Sequence, residues 1–343
     1  MATIKDVAKL ANVSTATVSA TLNGTAYVSP QLKERVERAV IELGYLTDGI
    51  ARSLKKGRSN LVGLLVDDVT SPFYTELVEE IESLAYREGY AVLLCHTGRD
   101  VAKERRYLSL LRTHRVAGIV WAPTGGDIHY PENDFQHFAI PLVFVDRVVS
   151  TFQAYDSVLL DNQTASFSAT NYLLDLGHRR IGMISGPEHL QPARERINGY
   201  RIALRKRDLP VEPRFVRYGA FREAEAFEEC RKLLSEEPRV SAIVIANNPM
   251  FIGCMRALKH FDLVCPKDIS VVTIDDFPLA PVFNPAITTV RQPTREMARL
   301  ALDLLLRRLS EDPSRGPIHR LLEPMLIVRE SCAPCMNSTA VSG

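Results

Sequence analysis

The 343-residue sequence lacks any apolar run long enough to cross a membrane, and no apolar segment follows a basic amino terminus. A membrane-spanning helix needs about 20 apolar residues in succession. A secretory signal has an apolar core behind a basic start. The sequence therefore predicts no membrane partner and no export, and we expect a cytoplasmic location.

Cysteine is sparse, with six residues scattered along the chain. Only Cys332 and Cys335 have the spacing of metal ligands, and one such pair supplies half of the four ligands that a structural zinc needs. We expect reduced thiols and no metal site. The Pro- and Ser-containing segment 332–343 is expected to be a disordered tail.

The common catalytic and nucleotide motifs are also absent: GxGxxG, GxxxxGK[ST], GxSxG and HExxH. These motifs cradle phosphates, present a nucleophilic serine or bind zinc. Asp275 and Asp276 are adjacent carboxylates, but neighbouring residues at the end of a strand point in different directions. We expect a binding protein without a cofactor rather than an enzyme.

Charge is unevenly distributed although the net charge is only +1. Residues 1–60 carry nine basic and five acidic side chains, a net charge of +4, which leaves −3 for the rest of the chain. A basic end on an acidic body suits a protein that holds DNA with one end.

Three short amphipathic helices are predicted over 4–11, 14–22 and 30–43. Thr3 and Ser14 are candidate N-caps, and Asn12 tolerates the left-handed backbone of a tight turn. Two short helices joined by a tight turn and braced by a third form a helix-turn-helix, whose second helix lies in the DNA major groove. A small helical domain for protein contacts is the alternative.

The second of these helices has an unusually small, hydroxyl-rich outer face. Val18 and Leu22 are spaced to face inward, which leaves small side chains outside: Thr15, Ala16, Ser19 and Ala20. Small side chains allow close approach to bases, hydroxyls bond to base edges or phosphates, and methyl groups contact thymine methyls. Such a face is suited to a DNA groove.

Segment 45–60 is basic and contains one turn of amphipathic spacing at Ile50, Ala51 and Leu54. So short a helix does not repay its nucleation cost alone. The segment is either a solvated linker or a helix that forms when something holds it.

From Leu61 onward, apolar strand-like runs alternate with amphipathic helical stretches. The runs cover 61–66, 90–95, 117–122, 141–146, 181–185, 241–246 and 269–275. This alternation predicts an α/β core of two parallel-sheet subdomains, covered by helices on both faces. Ligands bind at the carboxyl edges of such sheets, where polar residues such as Asp67, Asp68 and Ser71 follow the strands.

Seven motifs carry a family resemblance: TIKDVAKLANVSTATVS, ARSLK, SPFY, VDR, GHRRIG, NPAITTVRQP and IVRES. With them the chain closely resembles the lactose-repressor family of bacterial transcription regulators, and its head most resembles the purine-repressor branch. The resemblance implies a helix-turn-helix head over 1–46, a hinge over 47–60 that becomes helical on DNA, and a core like periplasmic sugar-binding proteins. The implied core subdomains are 61–161 with 292–320, and 162–291 with 321–331.

The resemblance also implies two sets of site residues. Leu54 matches a hinge leucine that wedges into the minor groove at the operator centre. The implied DNA-binding residues are Thr3, Ser14, Thr15, Ala16, Thr17, Ser19, Ala20, Asn23, Arg52, Leu54 and Lys55. The implied effector-binding residues are Ser71, Phe73, Tyr74, Asp146, Arg147, Leu190, Arg196, Phe221, Asn247, Asn248 and Asp275.

These features together predict a homodimeric, ligand-responsive repressor of a pseudo-palindromic operator. We expect a dimer because the twelve residues after Ser331 contain no leucine heptad, which the family's tetramers use. Asn248 stands where many relatives have an acid, while Arg147 and Arg196 remain. This favours a sugar or sugar-acid effector. A purine-responsive regulator is the alternative, followed by a solute-binding protein or an α/β enzyme with a DNA-binding head.

Overall fold

The computed structural model describes residues 2–23, 26–45, 59–126, 130, 140–149, 154–310 and 315–335. The chain forms two compact units, which meet in sequence between Ser59 and Asn60. The amino-terminal unit, the head, and the larger unit, the core, are described separately.

The head contains α1 (Ile4–Ala11), α2 (Thr15–Asn23) and α3 (Pro30–Glu42), which confirms the three predicted helices. Thr3 and Asp6 form a capping box at the start of α1. Asn12 has a φ of 48°, the left-handed backbone expected at the turn. A small apolar core holds the three helices together: Val7, Ala8, Ala11, Val18, Val36 and Ala39.

The first subdomain of the core contains six described strands in one parallel sheet. Their bounds are β1 (Leu61–Val66), β2 (Ala91–His96), β3 (Gly118–Trp121), β4 (Leu142–Val145), β5 (Asp156–Leu160) and β11 (His319–Leu322). The sheet order is β11-β5-β4-β3-β1-β2. Its helices are α4 (Pro72–Arg87), α5 (Val101–Thr113) and α10 (Thr294–Ser310).

The second subdomain repeats this plan with six further strands among the described residues. They are β6 (Ile181–Ser185), β7 (Val216–Tyr218), β8 (Ala242–Ile245), β9 (Ser270–Ile274), β10 (Thr288–Arg291) and β12 (Met325–Ile327), in the order β12-β10-β9-β8-β6-β7. Only β12 pairs antiparallel among the described strands of this sheet. The helices are α6 (Asn162–Asp175), α7 (Gln191–Arg205), α8 (Glu223–Leu234) and α9 (Asn248–His260).

Two sequence expectations about the end of the chain are corrected. Because β11 pairs with β5, residues 321–322 belong to the first subdomain, and the predicted boundary at 320 moves to 322. Residues 332–335 are not a disordered tail: the Cys335 N–H donates to Leu176 O at 2.8 Å, and Ala333 N–H donates to Ser270 Oγ at 3.1 Å. These bonds fasten the segment to the second subdomain.

Among the described residues, no helix combines the length and apolar character needed to cross a membrane. The same residues contain no cluster of three or more His, Cys, Asp or Glu side chains suited to a metal ion.

Candidate functional site

The surface of α2 is uncharged and small along its described length. Thr15 and Ala16 are exposed, and Thr17, Ser19 and Ala20 are half-buried. Ser14 caps the helix through a bond from the Thr17 N–H to its Oγ, at 3.0 Å. Of the four side chains predicted to face outward, Thr15 and Ala16 are thus exposed, and Ser19 and Ala20 are only partly exposed. The side chain of Asn23 lies outside the described residues.

Helix α3 braces the turn between α1 and α2 through Arg35. Its guanidinium Nη2 donates to Ala11 O at 2.6 Å and to Asn12 O at 3.2 Å. These carbonyls belong to the end of α1, where orphan carbonyls and the negative end of the helix dipole favour a cation. Arg35 therefore ties α3 to the end of α1 and to the turn that leads into α2. The sequence pattern did not identify it.

The three hinge residues predicted to contact DNA are Arg52, Leu54 and Lys55. They lie outside the described residues, and their roles stay predictions.

In the first subdomain, three predicted effector residues form one hydrogen-bonded cluster. Tyr74 Oη donates to Asp146 Oδ2 at 2.7 Å, and Arg147 Nε donates to the same oxygen at 3.0 Å. Arg147 Nη2 lies 2.9 Å from Tyr74 Oη and 3.2 Å from Asp67 Oδ2. All four side chains are buried. Arg147 is therefore held between two carboxylates.

In the second subdomain, Arg196 and Asp275 are both buried. Arg196 Nε donates to Asn162 Oδ1 at 2.8 Å, and its Nη1 donates to Ala246 O. Gln292 Nε2 donates to Asp275 Oδ1 at 2.5 Å. Burial raises the pKa of Asp275, the charge of Arg196 lowers it, and the charge of Asp146 raises it again. The charges of Asp146 and Asp275 therefore interact between the two subdomains, and the space between the subdomains at these residues is called the cleft.

The neighbouring asparagines have different surroundings. The Asn247 side chain caps α9, accepting from Met250 N–H at 3.1 Å, and it donates to Phe221 O at 3.3 Å. Asn248 is buried, and neither its Oδ1 nor its Nδ2 has a hydrogen-bond partner among the described residues. The first amide has a local structural role, whereas the second has unused hydrogen-bonding capacity.

The other predicted effector residues lie at or close to the starts of helices. Phe73 and Tyr74 form an edge-on ring pair with centroids 4.9 Å apart. Phe221 has a φ of 58°, and its ring lies where a Cβ on Gly186 would stand. Ser71 and Leu190 are buried at the N-cap positions of α4 and α7.

Contacts join the two subdomains across the mouth of the cleft. Val148 N–H donates to Gln191 Oε1 at 3.2 Å. A Cβ on Gly126 would stand 2.8 Å from His189 O. An outer groove of about 1000 Å³ lies beside the buried site and shares Phe73, Asp275 and Gln292 with it. The groove thus borders three residues of the site, Phe73, Asp275 and Gln292.

The sequence analysis missed several partners of the predicted effector residues. It noted Asp67 only as a polar residue after a strand, and it did not single out Asn162, Gln292 or Arg99, whose guanidinium donates to Asp68. Gln292 directly follows β10, a strand too short to stand out as an apolar run. Its position in the quoted motif NPAITTVRQP was the available signal.

Family models and relatives match this architecture. The model described as "Bacterial regulatory proteins, lacI family" matches residues 3–48, and that of a "Periplasmic binding protein-like domain" matches residues 170–332. The ribose operon repressor of Escherichia coli (strain K12) is 36% identical over 334 residues, covering 96% of this chain and 100% of the relative. The transcriptional repressor PurR of Vibrio vulnificus (strain CMCP6) is 35% identical over 331 residues, covering 96% and 98%.

A solved structure has the same fold. The lac repressor dimer bound to operator and the anti-inducer ONPF matches with a TM-score of 0.83 and 27% identity, covering 97% of this chain and 99% of that one. The relatives named here are repressors and not enzymes. The chain belongs to the lacI family of bacterial regulatory proteins and is a ligand-responsive transcriptional repressor with a DNA-binding head and an effector-binding core.

Proposed function

We propose that this repressor binds a pseudo-palindromic operator as a homodimer, and that a neutral sugar in the cleft controls its operator affinity. The effector assignment rests chiefly on Asn248, a buried amide whose donor and acceptor both lack partners among the described residues. A sugar hydroxyl is both a donor and an acceptor and satisfies such a group. Because operator DNA is chromosomal, we propose a cytoplasmic location.

The surroundings of Asn248 also suit a sugar. Carboxylates at Asp146 and Asp275 accept bonds from hydroxyls, and the aromatic side chains Phe73 and Phe221 offer apolar surface to a ring face. Buried polar groups cost about 1–3 kcal/mol when left unpaired. The cleft therefore favours a ligand with several hydroxyls on a compact ring.

The charge pairing favours a neutral sugar over a sugar acid or sugar phosphate. The sequence suggested that Arg147 and Arg196 would receive an anion. Arg147 instead lies against Asp67 and Asp146, at nitrogen–oxygen distances of 3.2 and 3.0 Å. A carboxylate ligand would have to compete with carboxylates already in place. We therefore narrow the sugar-type assignment to neutral sugars.

Calorimetry tests the ligand class. D-ribose and other neutral aldoses, D-ribonate, D-ribose 5-phosphate and hypoxanthine are titrated into the full-length protein. We expect a neutral aldose to bind more tightly than the acidic sugars and the purine. The ribose repressor and PurR relatives have almost equal identity to this chain, so they do not separate these classes. Micromolar binding of hypoxanthine with no binding of any sugar would refute the proposal.

Exposed apolar side chains support the homodimer. At the edge of the first sheet, Leu94 on β2 is 43% exposed and Tyr86 on the adjoining α4 is 76% exposed. In the second subdomain, Leu279 and Val282 are also exposed. We assign these side chains to the contacts between the two copies of the chain. Sedimentation at micromolar concentration is expected to give a dimer, and a monomer or tetramer would contradict this assignment.

Salt dependence tests the mode of DNA binding. If the dimer neutralises roughly eight phosphates, log K against log salt concentration is expected to fall with a slope of about −7. Gel shifts over a range of salt concentrations measure this slope. Comparing a palindromic site with a single half-site measures how much affinity the second half-site adds. A flat salt dependence, or equal affinity for the half-site, would argue against the proposal.

A further inference from the structure

Arg99 joins two acidic residues at the carboxyl edge of the first sheet. It lies in the loop between β2 and α5, and its Nη2 donates to Asp68 Oδ2 at 3.0 Å. Its Nε lies 3.8 Å from Asp67 Oδ2. The same Asp67 oxygen lies 3.2 Å from Arg147 Nη2. Asp67 thus lies between two guanidinium groups. One is that of Arg147, which also contacts Tyr74 and Asp146, and the other is that of Arg99.

Each member of this group retains a buried polar atom without a hydrogen-bond partner among the described residues. The atoms are Asp67 Oδ1, Arg99 Nε and Arg147 Nη1. The exposed fraction of each side chain is 4%, 18% and 7%, respectively. Unpaired buried groups of this kind are costly, and charged ones more than neutral ones. Their concentration around one carboxylate indicates a polar ligand group at this point.

We propose that Arg99 is a positioning residue that, through Asp67, presents Asp67 Oδ1 and Arg147 Nη1 to one hydroxyl group of the effector. One hydroxyl satisfies both atoms, donating to the carboxylate oxygen and accepting from the guanidinium. Arg99 thereby determines which pattern of hydroxyls the cleft accepts. This inference rests on the proposed sugar effector.

The backbone and the charge balance support this role. Arg99 has a φ of 64°, a left-handed conformation that a residue with a side chain adopts at a cost and that persists where its surroundings hold it. Burial raises the pKa of Asp67, while the charges of Arg147 and Arg99 lower it. Arg99 therefore helps to keep the buried Asp67 ionised, and an ionised carboxylate is a stronger acceptor than a neutral one.

The experiment measures hydroxyl specificity and affinity together. D-ribose and its monodeoxy analogues are titrated by calorimetry into wild-type protein and into the variants R99Q, R99K and D67N. The control R207Q removes an exposed arginine that pairs with Asp175 on the second subdomain. Thermal unfolding is recorded for each protein, so that a folding defect is distinguished from a binding defect.

We expect one deoxy analogue to bind wild-type protein at least about tenfold more weakly than D-ribose, because it leaves Asp67 and Arg147 unpaired. R99Q and D67N are expected to lose about tenfold in D-ribose affinity and most of the discrimination against that analogue. R99K retains the positive charge and is expected to recover part of both. R207Q is expected to match wild type.

Several outcomes would overturn the inference. If R99Q binds D-ribose more weakly but keeps the wild-type ranking of analogues, Arg99 has only a structural role. If R99Q does not fold, D67N and R99K decide the question. Unchanged discrimination between D-ribose and the deoxy analogue in D67N overturns the proposal. Lost discrimination in D67N, with partial discrimination in R99K, upholds it. If wild-type protein binds D-ribose but every variant matches it, the roles of Arg99 and Asp67 are wrong while the proposed effector class stands. If wild-type protein binds no neutral sugar, the proposed effector class is wrong as well.

Discussion

Asp146 and Asp275 occupy equivalent positions in the two subdomains. Each directly follows the third strand in its sheet order, β4 or β9, and each has a left-handed backbone, with φ of 69° and 75°. Each N–H donates to the neighbouring strand, to Val158 O at 3.1 Å and to Val290 O at 2.9 Å. The same turn thus aims one carboxylate from each subdomain at the cleft. The strain of these turns is of the kind found at ligand sites.

Asp275→Asn is expected to weaken effector binding and to stabilise the ligand-free protein at neutral pH. Burial raises the pKa of Asp275 above its ordinary value of 3.8. The folded state therefore binds this proton more tightly than the unfolded chain, and stability falls as pH rises from the ordinary value toward the raised one. Asparagine removes that penalty, so the Tm difference is expected to be positive at pH 7 and to shrink toward pH 4.

Calorimetry and thermal unfolding between about pH 4 and pH 8 test this pair of effects. We expect affinity for the sugar to fall by about tenfold to a hundredfold, since a hydrogen bond to a charged acceptor is lost. Asp175→Asn, at an exposed carboxylate, is the control. A Tm of D275N that stays below wild type at pH 7 would contradict the stability argument, and an unchanged Kd would contradict the site.

Gly126→Ala is expected to weaken effector binding by opening the mouth of the cleft. The added Cβ would stand 2.8 Å from His189 O and 3.3 Å from the His189 ring, and a backbone oxygen does not move cheaply. The segments around Gly126 and His189 must then move apart, which reduces the population of the closed form. We expect the Kd to rise on the order of tenfold and the radius of gyration with ligand to increase in X-ray scattering.

Gly316→Ala is the matched control, because no atom lies within 4 Å of the position of its Cβ. Because binding free energies are linked, the same substitution is also expected to reduce the factor by which the effector changes operator affinity. Wild-type values of both quantities in G126A would show that the contact does not hold the cleft closed.

The sequence predicted the long buried strands better than the edge strands. The bounds of β1 and β6 match the predicted runs 61–66 and 181–185, because the buried positions of these strands are almost all apolar. The edge strands β7, β11 and β12 were missed, because their side chains are mostly exposed or half-buried and leave no apolar run to recognise. The inner strands β5 and β10 were missed as well, because each begins with two buried polar residues.

Within the candidate site, the sequence identified the residues that directly follow long strands, such as Asp146 and Asp275. It did not predict that Arg147 lies between two carboxylates, because that pairing joins the ends of separate strands. Nor did it predict Arg99, which lies in a loop after Gly98 and has no periodic pattern around it. Whether an arginine faces a ligand or a carboxylate of the protein depends on tertiary contacts.

Leu54→Ala is expected to weaken operator binding far more than binding to random DNA. Leu54 lies outside the described residues, and its role as a minor-groove wedge is implied by the family resemblance. A wedge gains energy only where the DNA is easily kinked, so its loss removes specificity. Gel shifts on operator and random DNA test this. The control is Lys9→Ala, at an exposed lysine of α1, which is expected to weaken binding to operator and to random DNA about equally. If L54A also loses equal affinity for the two DNAs, Leu54 is not a wedge.

Arg35→Ala is expected to loosen the head and reduce operator affinity without contacting DNA. The substitution removes two hydrogen bonds, to Ala11 O and Asn12 O, and one cation from the carboxyl end of α1. The loss in local stability is expected to be about 1 kcal/mol, because the arginine is partly exposed. Amide hydrogen exchange across 2–45 in the full-length protein is then expected to accelerate about fivefold.

Arg38→Ala is the control, because it removes only an exposed ion pair with Glu34 on the same helix. Surface ion pairs contribute little to stability, so we expect it to change hydrogen exchange and operator affinity little. If R35A and R38A have the same exchange rates and the same operator affinity, Arg35 does not brace the turn, and the orientation of α2 depends on the apolar core of the head alone.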